Sequence, residues 1–145
     1  MAFVAGSLYF LIVFAAGFAL GVLRTVLIAP VIGELAAVLL EVPVMLAIAW
    51  VACGWTLGKV EVPAQMAPRA MVGATALVLL LTAEAALFVY LSGKTFVEYF
   101  FSYARPSALI GLAAQLAYAC FPLVRRPSAA GRRSRPTGNM SSPRR

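Results

Sequence analysis

Four apolar runs, at about residues 3–23, 35–57, 70–91 and 106–124, leave this chain few folds to choose from. A helix crossing the hydrocarbon layer of a membrane, ~30 Å thick, needs about 20 consecutive apolar residues. Each run is close to that length, and little chain is left between them. With 63% hydrophobic residues, 12% charged residues and a mean hydropathy of +0.93, a water-soluble domain could not cover its own apolar surface. The expected fold is all-α. Four transmembrane helices form an integral membrane bundle over residues 1–124, followed by a tail over 125–145.

The punctuation agrees with the hydropathy. Gly58 and Gly93 follow the second and third runs, where a helix C-terminus favours a residue free to adopt positive φ. Pro68 and Pro106 stand at the starts of the third and fourth runs, where a missing N–H does little harm. The N-terminus has no basic n-region and its apolar run is too long for a signal peptide, so it reads as a retained first span. In the last loop, Thr95 and Glu98 have capping-box spacing and precede Tyr99, Phe100, Phe101 and Tyr103. That pattern predicts a short helix lying in the membrane interface, where amphipathic aromatics settle.

The formal charge is +7, and seven of the arginines lie between Arg125 and Arg145. Cytoplasmic flanks hold the excess of Lys and Arg. With both termini cytoplasmic, the inner side carries Lys59, Arg69 and those seven, against Arg24, Lys94 and Arg105 outside, or nine against three. The tail is rich in Arg, Pro, Ser and Gly, so ordering it would cost backbone entropy without burial in return, and disorder is expected. Arg125, Arg126, Arg132, Arg133 and Arg135 are candidates to hold anionic lipid headgroups, at ~1 kcal/mol each. The other reading is that the tail only fixes topology. Nucleic acid is not expected as a partner.

His and Asp are absent, which removes common metal ligands and the Ser-His-Asp and Cys-His catalytic arrangements. Neither an enzyme nor a metal or cofactor is expected. Cys53 and Cys120 lie inside apolar runs without CxxC spacing and read as free thiols, at one level of the second and fourth spans.

The anomalous residues are the charges within the apolar runs. Glu34 stands at the entrance of the second span, and Glu41 seven residues further on lies on nearly the same helix face. Glu84 is seven residues from the outer end of the third span, and Arg24 closes the first span on that same side. The topology argued from the basic residues therefore gathers Arg24, Glu34, Glu41 and Glu84 into one outer layer. An ionised side chain in mid-membrane costs ~3 kcal/mol or more, so such groups face the bundle interior, pair or change protonation. The expected pair is Arg24 with Glu41, leaving Glu84 protonated or lining a wet cleft. Gln115, at the middle of the fourth span, must also find a partner. Pro43 removes a helix hydrogen bond two residues from Glu41 and predicts a kink that frees the carbonyl of Leu39. Gly17 and Gly21 form a GxxxG spacing that allows close helix packing, within the chain or between subunits.

The string LGVLRTVLIAPVIGELAAVLLEVPVMLAIAW, with Arg24, Pro30, Gly33, Glu34, Glu41 and Pro43, resembles the corresponding part of a group of short four-span bacterial membrane proteins. The resemblance covers about residues 5–60 and implies a bacterial cell (inner) membrane, but it brings no activity with it. Small multidrug-resistance exporters also have four spans, yet their coupling glutamate lies in the first span, which here has no acidic residue. Fluoride channels of similar length carry asparagines in their spans that have no counterpart here. Two readings of function follow. One is a structural or accessory component that binds another membrane protein, with lipid and a partner protein or second copy as its contacts. The other is a small proton- or cation-coupled transporter or channel using Glu41 and Glu84.

Overall fold

The computed structural model describes residues 1–125. The expected lipid-contact residues Arg126, Arg132, Arg133 and Arg135 lie outside them. The described chain is all-helical: α1 (Ala2–Leu23), a π-helical turn (Arg24–Ile28), α2 (Ala29–Ile32), α3 (Glu34–Lys59), α4 (Met66–Ser92), α5 (Phe96–Ser102) and α6 (Pro106–Val124). Four stretches, Ala2–Ile32, Glu34–Lys59, Met66–Ser92 and Pro106–Val124, are long and apolar enough to cross a membrane. The protein is thus a multi-pass membrane protein.

The first span does not close at Arg24. It runs 31 residues, to Ile32, or about 46 Å at 1.5 Å per residue. Arg24 interrupts the hydropathy without interrupting the helix, because Thr25–Ile32 is apolar again. Pro30 shapes the join: its ring crowds the carbonyl four residues back, that of Val26. The helix widens just upstream, and the Ala29 N–H donates to the Arg24 carbonyl, five residues back. Gly33 then reverses the chain at φ 86°, ψ 158°, a region open essentially to glycine alone.

At the other end of α3 the sequence expectation needs correcting. Gly58 is helical, the helix ends at Lys59, and the positive φ falls on Glu61. The extra turn places the Lys59 ammonium over the Trp55 ring, 5.9 Å from its centroid, and a cation there complements the helix dipole. Gly93 does end α4 in the left-handed region, at φ 64°. The Thr95–Glu98 capping box opens α5.

α1 packs on α4 and α3, and α6 packs on the same two helices, so the bundle is four-cornered with α1 diagonal to α6. The Gly33 turn and the 93–105 connection lie at one end, called here the cleft end. The N-terminus, the 60–65 loop and Arg125 lie at the other, the tail end. The main packed core lies in the tail half. The buried side of α1 is Ala5, Gly6, Tyr9 and Val13, and that of α4 is Arg69, Val72, Gly73, Ala76 and Leu80. α3 buries Ala37 and Val38, then nothing until Ala49. Small residues bring the backbones together. A Cβ on Gly6 would stand 2.8 Å from Thr75 Cβ, and one on Gly73 would collide with the Ala119 carbonyl oxygen. The expected GxxxG contact is different. A Cβ on Gly17 meets only the end of the Met45 side chain, with Cε at 3.1 Å, and one on Gly21 meets nothing within 4 Å. Gly21 faces open space because the helices part toward the cleft end.

The diagonal is crossed once, by aromatic stacking. The Tyr9 and Tyr118 rings lie 4.5 Å apart, and the Tyr9 hydroxyl donates to the Tyr118 carbonyl at 3.1 Å. That carbonyl needs an outside donor because Pro122, four residues on, has no N–H. Tyr9→Phe leaves it buried and unpartnered, and is expected to lower stability by about 1–3 kcal/mol, read as the unfolding midpoint in mixed detergent.

Candidate functional site

Where the helices part, they enclose a cleft of about 640 Å³ lined by all four spans and α5. α1 leans from α4 in the tail half toward α3 in the cleft half, where the π turn packs on α3. The floor is the Tyr118 level, and the wall is mainly apolar, with Phe14, Phe18, Val38, Met45, Leu80 and Leu112 among its residues. Arg24, Glu34, Glu41, Glu84 and Gln115 all line this one cavity. Pro43 does not line it, and α3 runs unbroken through that position.

Each carboxyl of the cleft is met by a side chain from another element. Arg24 Nε stands 3.0 Å from Glu41 Oε2, joining the π turn to α3. The Ser107 hydroxyl donates to Glu34 Oε1 at 2.9 Å, joining α6 to α3. The Gln115 amide donates to Glu84 Oε2 at 2.6 Å, joining α6 to α4. Three polar links thus tie the cleft half together where apolar packing does not. Arg24 continues the α1 face that carries Gly17 and Gly21, and the turn widens only beyond it.

The three acidic groups are not equivalent. Arg24–Glu41 is the only salt bridge among the described residues. Glu34 and Glu84 receive hydrogen bonds from neutral donors alone. Gln115 Oε1 is buried with no partner. The amide turns its NH₂ group toward Glu84, whose carboxyl oxygen accepts, and this leaves Oε1 pointing away.

α5 forms part of the cleft roof. Tyr99 and Tyr103, 2.6 Å apart at their hydroxyls, both line the cavity. Tyr99 packs on Phe88 of α4 with ring centroids 5.4 Å apart. Burial pushes both phenols above the ordinary tyrosine range, so they stay protonated as hydrogen-bond donors. The opposite face of α5 presents Phe96, Val97, Phe100 and Phe101 outward. Its capping box is complete: the Thr95 N–H donates to Glu98 Oε2 at 2.8 Å, and the Glu98 N–H donates to Thr95 Oγ1 at 3.4 Å. The Thr95 backbone N–H, and then its hydroxyl, hold the exposed Glu98 carboxyl below its usual range. A depressed folded pKa contributes stability above the unfolded value and loses it as pH falls through the folded one. Backbone amides of Tyr99–Ser102 are therefore expected to exchange faster at pH 3 than at pH 7 relative to those of α4, after correction for intrinsic rates. Equal protection at both pH values would exclude a contribution from the carboxyl.

Sequence reasoning missed the packing contacts of two arginines at the tail end. Arg69, expected as a flanking charge, is buried, and its Nη1 donates to the Pro122 carbonyl at 3.4 Å and to the Arg125 carbonyl. It satisfies the C-terminal carbonyls of α6. Arg125, a candidate for lipid headgroups, also turns its guanidinium onto the bundle. It stacks 5.0 Å from the Trp50 ring centroid and donates to the Trp50 carbonyl, in space left by Gly54. The contact joins the C-cap of α6 to α3, and no local spacing along the chain signals it.

Taken together, these positions describe a multi-pass membrane bundle, packed at one end and opened into a polar-linked cleft at the other. Set against family models, the curated proteins and the solved structures, its chain finds no match.

Proposed function

We propose that this protein is an accessory component of a bacterial cell membrane that binds another integral membrane protein. The cleft end faces outward and the basic tail faces the cytoplasm, in keeping with nine basic residues on the tail side against three. The observation that carries the reading is the over-long first span. Its last nine residues, Arg24–Ile32, bury no side chain, yet Val26, Leu27, Val31 and Ile32 are apolar and exposed, Val31 by 80%. A span longer than the membrane must tilt or find cover. An arm of this kind, held on α3 by the Arg24–Glu41 pair, offers a partner helix a ready apolar edge. The three links of the cleft support the same reading, because each serves to fix the bundle.

Photo-crosslinking from Val26 and Val31 in native membranes tests it. A single discrete protein adduct, lost when the probe is moved to Leu116 on the far side of the bundle, is the expected result. Adducts to lipid alone at both positions would overturn it.

The second reading is a proton- or cation-coupled transporter, favoured by Glu84, whose only hydrogen-bond partner among the described residues is the neutral Gln115. Flux into liposomes that responds to pH and disappears in Glu84→Gln would select it.

A further inference from the structure

The cleft carries its own description of a ligand. Its volume, about 640 Å³, is within the ~300–1,000 Å³ range of small-molecule sites. Phe14, Phe18, Met45, Leu80 and Leu112 supply an apolar wall. Against this wall stand three carboxyls and one guanidinium, and the guanidinium is committed to Glu41 at 3.0 Å. Three carboxyls against one guanidinium give the lining an acidic balance, which favours a cation over an anion. Among the described residues no cation stands within salt-bridge distance of Glu84, and beside it Gln115 Oε1 lacks a donor. A carboxylate held in apolar surroundings without a counter-charge is costly, and a ligand that brings positive charge removes that cost. A small hard metal ion fits poorly, because Ca²⁺ or Mg²⁺ asks for six or more oxygen ligands in a site that is mostly hydrocarbon. A bulky organic cation fits both features, since its body fills the apolar volume while the aromatic faces of Phe14 and Phe18 and the Glu84 carboxylate meet its charge.

We propose that the cleft is a binding site for a lipophilic organic monocation, with Glu84 as its counter-ion and the α1, α3, α4 and α6 side chains as its apolar wall. The site shares Arg24, Thr25 and Val26 with the partner edge, but its charge centre is Glu84 on α4, and Leu27, Val31 and Ile32 of that edge lie outside the cavity lining. It shares with the transport reading only the role of Glu84, and equilibrium binding in the absence of any gradient separates the two.

The test uses the full-length protein in lipid nanodiscs, with radiolabelled tetraphenylphosphonium as the probe and the same-shaped anion tetraphenylborate as the control. Binding to empty nanodiscs is subtracted from both. The expected result is saturable binding of one phosphonium per chain, at least tenfold tighter than borate. Glu84→Gln, which keeps the shape and the acceptor oxygen but removes the charge, is expected to weaken phosphonium binding at least tenfold. A second variant acts by volume alone. Gly21 lines the cleft with nothing within 4 Å of its Cβ direction, so Gly21→Phe fills the cavity while sparing the tail-half packing, and is expected to remove binding. Absence of saturable phosphonium binding, equal affinity for the borate, or undiminished binding in either folded variant overturns the proposal. Should Glu84→Gln fail to fold, Gly21→Phe together with the phosphonium-to-borate ratio decides it.

Discussion

Gly73→Ala is expected to lower the stability of the bundle by about 2 kcal/mol net, although alanine is the better helix former by about 1 kcal/mol. The added methyl would collide with the Ala119 carbonyl oxygen, which belongs to the α6 backbone and cannot rotate away as a side chain would. α4 and α6 must separate, and the loss spreads to Val72 and Ala76 on the same buried face. Gly21→Ala is the control, and its sign should be opposite. Its Cβ meets nothing within 4 Å, so the helix-propensity gain stands alone, at up to about 1 kcal/mol. Unfolding in mixed detergent reads both. If Gly21→Ala proved the more damaging of the two, the packing described for the tail half would be wrong.

The second large effect concerns Arg24 and Glu41. Removing one member of a buried ion pair costs about 3–5 kcal/mol, because it strands the other charge. Here the side chains are 29% and 16% exposed, so Arg24→Leu or Glu41→Leu alone is expected to cost less, about 2–3 kcal/mol. The double replacement, which strands neither charge, should recover most of that loss. A double-mutant cycle measures the coupling directly. Additive single effects would mean that the two groups stabilise the bundle separately. Because the pair holds the Arg24–Ile32 arm on α3, the Val26 and Val31 crosslinks are expected to weaken in either single variant.

Much of the fold was legible because lipid imposes a simple rule of length and polarity. The starts at Pro106 and the capping box at Thr95, and the stop at Gly93, could be read directly, since each depends on the local backbone alone. The end of the first span was not legible from hydropathy. Arg24 looks like a terminus, and only the combination of Pro30 with a following Gly33 reveals that the helix continues, widens and then turns. Gly58 misled for a related reason: a glycine near a helix end is permitted to take positive φ, not obliged to.

The candidate site divides the same way. Depth along each helix is a sequence property, so Arg24, Glu34, Glu41 and Glu84 could be assigned to one layer before any contact was known. Which group meets which depends on the corner each helix occupies. Ser107 as the partner of Glu34, and Gln115 as the partner of Glu84, follow from α6 lying between α3 and α4, and no spacing along the chain encodes that. The close approaches at Gly6 and Gly73 were hidden for the same reason, while GxxxG drew attention to glycines on the open side.

The Tyr9 hydroxyl and the Tyr118 carbonyl it serves are 109 residues apart in the chain. During synthesis the first helix therefore enters the membrane with that phenol unserved, and it stays so until the ribosome has released the last one. Neither half of the polypeptide can finish its core alone. Assembly is a closing of the circle by the final span, and any pause between the fourth and sixth helices exposes an unfinished seam to whatever chaperone or protease is watching the bilayer.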